Sequence, residues 1–196
     1  QYGSANCTVT VVDGNGSSDS EDITLTVNSV NDAVTLSAVG NKSTDEDTDL
    51  TISISSSDAD LEFYGESHTF TLSCDDASLV TTSCTSTGTY GNTADCTFDV
   101  QDHQYGSASC TVTVDDGNGS SDSEDITLTV NSVNDDVTLS AVGNKSTDED
   151  TDLTISVSSS DADLANYGES HTFTLSCDDA SLVTTSCSST GSSTAD

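Results

Sequence analysis

Basic residues are almost missing from this sequence. Lys42 and Lys145 stand alone against 35 acidic residues, giving a formal net charge of −33 over 196 residues. Phosphate backbones are gripped by Lys and Arg, so nucleic acid is excluded as a partner. An anionic membrane surface repels such a chain as well; cations are its natural counterpart. No apolar run reaches the ~20 residues of a membrane span, so no membrane insertion is expected in this segment. Pro, Met and Trp are absent. With neither an initiating Met nor a signal peptide, and with its start inside a strand pattern, the chain reads as a piece of a longer secreted protein. Large apolar residues are scarce too: Val, Leu, Ile and Phe make up 38 residues. At this net charge, that total falls on the disordered side of compositional rules. Their placement argues the other way. They sit in short alternating runs, as in strands with one buried face. The core must be thin, so something besides apolar burial has to help hold it.

The chain repeats itself. "QYGSANCTVTVVDGNGSSDSEDITLTVNSVNDAV" begins at Gln1 and "QYGSASCTVTVDDGNGSSDSEDITLTVNSVNDDV" at Gln104, and the offset of 103 residues holds through Gly88 and Gly191. A period of that length suits tandem β-sandwiches rather than solenoid turns. The boundary falls at the Asn-Asp of the linker. Residues 32–133 then form one complete domain. Residues 1–31 hold the last strands of a preceding repeat, and residues 134–196 the first strands of a following one.

Seven strands are expected in the complete domain: Val34–Val39, Leu50–Ser56, Thr69–Cys74, Leu79–Cys84, Cys96–Val100, Ala108–Val114 and Ile126–Val130. In sandwich lettering these are A to G. Sets such as Phe70, Leu72, Cys74 and Cys110, Val112, Val114 fall on one face of their strands. Gly, Asn, Asp and Ser fill the gaps as turn residues. The expectation is an all-β protein of tandem seven-strand sandwiches.

The phrases "ASCTVTVDDGNGSSDSEDITLTVNSVND", "STDEDTDLTIS" and "SSSDADL" resemble the tandem cadherin-like and immunoglobulin-like repeats of large microbial surface adhesins. The resemblance spans the whole chain. It implies Ig-like or cadherin-like sandwiches about 103 residues apart, on a cell surface. The chain departs from the pattern in lacking Pro after the linker Asn-Asp and in carrying four Cys per repeat.

Seven Cys, none in a CxxC pair, recur at matched positions. They favour disulfides in an oxidising compartment over zinc modules, whose spacings they do not match. In a seven-strand sandwich C pairs with F and D neighbours E, which suggests Cys74–Cys110 and Cys84–Cys96. The sequential pairing, Cys74–Cys84 with Cys96–Cys110, remains open. The two outer pieces of the chain together lack one equivalent of "CTFDVQDH", Cys96–His103. Cys7 is therefore expected against Cys177 of the preceding copy, as an inter-copy disulfide, with Cys187 awaiting a partner. Asn41 and Asn144, in Asn-X-Ser/Thr sequons of a loop, are candidate glycosylation sites.

The acids group by topology. At one end of the complete sandwich lie Asn31, Asp32, Asp58, Asp60, Asp115 and Asp116. At the other lie Asp45, Glu46, Asp47 and Asp102, followed by Asn134, Asp135 and Asp136 of the next linker, and by Asp161 and Asp163 of the next unit. Hard oxygen donors in number suit Ca²⁺. The cadherin-like resemblance implies the same arrangement, with an ion locking each linker. The plainer reading is a set of solvated turns. His68 and His171 are expected to face solvent rather than bind metal.

No nucleophile–base spacing supports an enzyme. The favoured function is a structural repeat segment of an extracellular fibre, stalk or adhesin, stiffened by calcium and disulfides and joined end to end with copies of itself. The alternative is an adhesin module that binds a glycan or protein, with Phe63 and Tyr90 as candidate contacts.

Overall fold

The computed structural model describes residues 2–61, 66–164 and 168–195. Every regular element among them is a β-strand. Phe63 lies outside the described residues.

The chain opens with a hairpin of β1 (Gly3–Val12) and β2 (Ser18–Val27), paired from Gly3↔Val27 to Val12↔Ser18. Its turn is closed by Asp13, whose Oδ1 accepts from Asn15 N at 2.9 Å and Ser17 N at 2.7 Å. All of both strands is exposed.

Eight strands follow: β3 (Thr35–Leu36), β4 (Lys42–Asp45), β5 (Leu50–Ser57), β6 (Thr69–Cys74), β7 (Val80–Thr87), β8 (Thr93–Val100), β9 (Gly106–Asp115) and β10 (Ser121–Asn131). They form two four-stranded sheets, ordered β3-β5-β8-β7 and β4-β10-β9-β6. All pairs are antiparallel except β4 with β10. The alternation in the sequence becomes the core between them. Phe98, Val112, Val114 and Leu128 are fully buried, with Phe70, Leu72 and Ile126 nearly so.

The single first strand expected at Val34–Val39 is instead two, one in each sheet, so the unit has eight strands rather than seven. Gly40, at φ 67°, turns the chain between them, a conformation that glycine adopts without a Cβ clash. Glu124 fixes the crossover, its Oε2 accepting from Val39 N at 2.7 Å and its Oε1 from Gly40 N at 2.9 Å. Asp122 Oδ2 accepts from Leu36 N at 2.8 Å and Ser120 Oγ from Val34 N at 3.2 Å. Leu36 N of the short edge strand β3 is thus satisfied by a side chain of the opposite sheet, which blunts an otherwise open edge.

Beyond the linker, β11 (Thr138–Leu139), β12 (Val157–Ser160) and β13 (Thr194–Ala195) form a small sheet ordered β11-β12-β13. Of the first strands expected in residues 134–196, the counterparts of β6 and β7 do not form. In the complete unit β6 is held by β9 and β7 by β8; without such ladders an isolated strand gains too little to order.

Disulfides join Cys74 to Cys110 and Cys84 to Cys96. Each pair is directly in register between neighbouring strands of one sheet, where opposed Cβ atoms come close enough to bond. Cys7, Cys177 and Cys187 are free and exposed.

Candidate metal sites

One end of the sandwich collects the linker, the segment after β5 and the β9–β10 turn. Asp116 is 2% exposed. Its Oδ2 accepts from Asn31 Nδ2 at 2.9 Å, and its Oδ1 from Asn118 N at 2.7 Å and Ser120 N at 2.9 Å. Burial pushes its pKa up, but the hydrogen bonds from Asn31, Ser120, Asn118 and Gly119 prevail and hold the carboxyl below its usual value, as donors to a charged form do. Asp60 is buried and accepts from Asp32 N at 2.7 Å. Asp60 N in turn donates to Asp58 Oδ1 at 2.8 Å. Asn118 Nδ2 donates to Glu66 Oε1.

His68 lies at the same end, and here the sequence expectation fails. It is 1% exposed, not solvent-facing. Position 68 shares the parity of Phe70 and Leu72, so it points inward just before β6 begins. Its Nδ1 lies 2.7 Å from Ser56 Oγ, and its N donates to Tyr90 O at 3.2 Å. Gly91 permits this approach: at φ 66°, a Cβ there would come 2.8 Å from His68 O. Asp58, Glu66 and His68 each offer one ligand atom, all within 4.8 Å of one another. Asp58 Oδ2, Glu66 Oε2 and His68 Nε2 are buried and without a hydrogen-bond partner.

The other end joins the complete unit to the next linker. Glu46 is 2% exposed; its N donates to Asn131 O at 2.8 Å, and its Oε1 accepts from Val133 N at 2.6 Å. Asp45 Oδ1 accepts from Asn131 Nδ2 at 3.1 Å. Asp47 Oδ1 accepts from His103 N at 2.8 Å. His103 Nδ1 is 2.8 Å from Asp135 Oδ2 and 3.5 Å from Asp47 Oδ2. Desolvation lowers the His103 pKa, but the charges of Asp135 and Asp47, the hydrogen bond to Asp135 and the charge of Asp102 outweigh it and raise the value. Asn134 Nδ2 donates to Asp135 O at 2.6 Å, and Asp135 N to Asp163 Oδ2 at 2.7 Å. Asp163 N donates to Asp161 Oδ1 at 2.9 Å. The Asp58, Asp60 and Asp32 pattern therefore recurs one repeat later as Asp161, Asp163 and Asp135. His171 recurs as well, partly buried rather than solvent-facing, with Nδ1 2.5 Å from Ser159 Oγ and Nε2 3.5 Å from Asp161 Oδ2.

Three of the candidate ligands stand apart. Asp115 Oδ1 caps its own turn through Gly117 N at 2.7 Å, and Asp102 and Asp136 are exposed. Asn41 and Asn144 are exposed; Asn41 Oδ1 accepts from Thr127 N at 2.9 Å. The Ser56–His68 pair is not open to a substrate, since Ser56 is 7% and His68 1% exposed. Sequence reasoning missed Glu66 and Glu169, whose isolated positions carry no motif. His68 and His171 were legible by parity.

No protein-family model matches the chain, and neither does any curated protein. Among solved structures it is similar to domains 4 and 5 of the S-layer protein SbsC, at 17% identity and TM-score 0.39, over 65% of this chain and 70% of that one. It is similar to the extracellular domain of protocadherin GammaB4, at 17% identity and TM-score 0.41, over 81% of this chain and 29% of that one. An endo-fucoidan hydrolase of glycoside hydrolase family 107 also matches, at 20% identity and TM-score 0.38, over 67% of this chain and 19% of that one.

Proposed function

We propose that this chain is a structural repeat segment of an extracellular stalk, filament or adhesin, with tandem sandwiches of about 103 residues joined by calcium-stiffened linkers. The observation that carries this reading is the grip on the linker from both sides. Glu46 accepts from Val133 N, and Asp163, in the next unit, accepts from Asp135 N. Two buried carboxylates thus converge on one three-residue stretch of backbone, residues 133–135. Oxygen-rich, anionic and partly backbone-lined surroundings fit Ca²⁺, which takes 6–8 oxygens. Glu46, Asp47, Asn134, Asp135, Asp161 and Asp163 would hold it at this junction. Asn31, Asp32, Asp58, Asp60 and Asp116 would serve at the other. The ion would supply charge neutralisation and a rigid link.

Copies joining end to end are part of the same proposal. Val9, Val11, Ile23 and Leu25 of the first hairpin are 45–66% exposed, whereas their repeat equivalents Val112, Val114, Ile126 and Leu128 are 0–3% exposed. The occupant that fits this face is residues 134–196 of another copy, whose Leu153, Leu175 and Leu182 are also exposed.

The test is thermal unfolding of the chelated chain with and without Ca²⁺, with small-angle scattering for length. A ligand at 100 times its Kd stabilises the native state by about 2.7 kcal/mol, so melting should shift upward and the particle should lengthen. Equal melting and equal dimensions in both conditions would sink the calcium reading.

A further inference from the structure

We infer that each repeat carries a second, chemically different cation site, for a divalent transition ion of the zinc class, built from Asp58, Glu66 and His68 and again from Asp161, Glu169 and His171.

Ser56 Oγ lies 2.7 Å from His68 Nδ1 and has Asn92 O, at 3.4 Å, as an outlet for its own proton. With the ring proton on Nδ1, Nε2 is an acceptor; it is buried with its residue, 1% exposed, and has no hydrogen-bond partner. It faces two more acceptors in the same condition, Asp58 Oδ2 and Glu66 Oε2. Three buried lone-pair donors pointed at one another are costly unless something positive lies between them. A proton on Nε2 would serve one carboxylate. A cation at the centre serves all three.

The other oxygens of the cluster are already committed. Asp58 Oδ1 holds Asp60 N, and Glu66 Oε1 holds Asn118 Nδ2. Each ligand is therefore oriented by a hydrogen bond on its far side, as outer partners orient metal ligands. The second unit repeats the arrangement. Ser159 Oγ lies on His171 Nδ1, and its hydroxyl donates to Ser193 O at 3.4 Å. Glu169 Oε2 and His171 Nε2 lack hydrogen-bond partners, and Nε2 stands 3.5 Å from Asp161 Oδ2. That separation is close to the spacing of two ligands about 2.1 Å from one tetrahedral ion.

Donor chemistry selects the ion. Imidazole with two carboxylates suits Zn²⁺ and its first-row neighbours, whereas Ca²⁺ takes oxygen alone. The inference does not rest on calcium at the junctions, although Asp58 and Asp161 border both sets.

The experiment uses the full chain, stripped of metal, with the free thiols of Cys7, Cys177 and Cys187 alkylated. Co²⁺ is titrated by visible absorption and Zn²⁺ by calorimetry. Two sites per chain are expected. His68→Gln or His171→Gln should remove one each, and the double variant both. Glu66→Gln, nearly isosteric, guards against a folding artefact and should also remove one site. Ser56→Ala should weaken Zn²⁺ at that site roughly 10- to 100-fold by freeing the ring. His103→Gln, in an exposed group whose ring already pairs with Asp47 and Asp135, should leave both sites in place. Absence of Co²⁺ and Zn²⁺ binding overturns the inference. Binding that survives the double His variant, or that disappears with His103→Gln, overturns it too. The Ca²⁺ melting shift is measured on the same double variant. Its persistence alongside lost Zn²⁺ separates the two sites, and its absence in the parent counts against the calcium reading alone.

Discussion

Breaking the disulfides should cost most of what holds the sandwich together. Cys84–Cys96 closes a loop with a separation of 12 residues, and Cys74–Cys110 one of 36, with the shorter nested inside the longer. Chain-entropy estimates give about 3 kcal/mol for the inner bridge and about 4 kcal/mol for the outer. Their sum, about 7 kcal/mol, compares with the 5–15 kcal/mol of net stability usual for a domain. Loss of either bridge should lower the melting temperature by roughly 12–30 °C, at about 4–8 °C per kcal/mol. Replacement by Ala adds a packing loss, since Cys96 is 0% and Cys110 2% exposed. Reduction leaves the sulfur atoms in place and removes only the constraint. Melting of the chain by circular dichroism should therefore rank oxidised above reduced, and reduced above Cys84→Ala/Cys96→Ala or Cys74→Ala/Cys110→Ala with the other pair reduced. A reduced chain that melts within about 4 °C of the oxidised one would show that the core needs no staple.

Phe98, wholly buried between the sheets, should cost about 3–5 kcal/mol when truncated to Ala, read from chemical denaturation; a loss below 1 kcal/mol would contradict the packing described. The Glu124 carboxyl is held below its usual range by the amides of Val39 and Gly40, with Lys42 adding to the effect and burial opposing it. A lowered folded value gives stability that is present above the unfolded Glu value of about 4.3 and is lost as pH falls through the folded one. Glu124→Gln should flatten the acid limb of stability against pH, and an unchanged limb would refute the clamp. End-to-end joining through Cys7 and Cys177 should give a ladder of disulfide-linked multimers on non-reducing gels, which Cys7→Ala abolishes; a ladder that survives the substitution would place the contact elsewhere.

The strands were legible because their signal is local. Alternation in Thr69–Cys74, Ala108–Val114 and Ile126–Val130 is a period that pleating imposes on any half-buried strand. The structure extends these runs, with β10 reaching from Ser121 to Asn131, because backbone ladders continue past the apolar stretch. The split of the first strand was hidden. It depends on Glu124 and Asp122, some 85 residues away, accepting from Val39, Gly40 and Leu36. These acids look like part of a charged turn in "SSDSEDI". Their even positions, in phase with Ile126 and Leu128, carried the information that they face inward.

The same phase rule separates the acids that matter from those that do not. Asp115 is out of phase with the inward set of β9 and caps a local turn, whereas Asp116, one residue later, is buried beneath the linker. His68 continues the inward phase of Phe70 and Leu72 past the end of the strand, so the rule places an imidazole where a hydrophobe would otherwise sit. A polar ring there is stable only if both nitrogens are answered. Ser56 answers Nδ1. The sequence supplies no donor for Nε2, but it supplies Asp58 and Glu66 within reach, and it does so twice, at Asp161, Glu169 and His171. A trio of buried acceptors makes physical sense where a cation converts their mutual repulsion into coordination. The next unit holds the same trio, with Ser159 beside its imidazole.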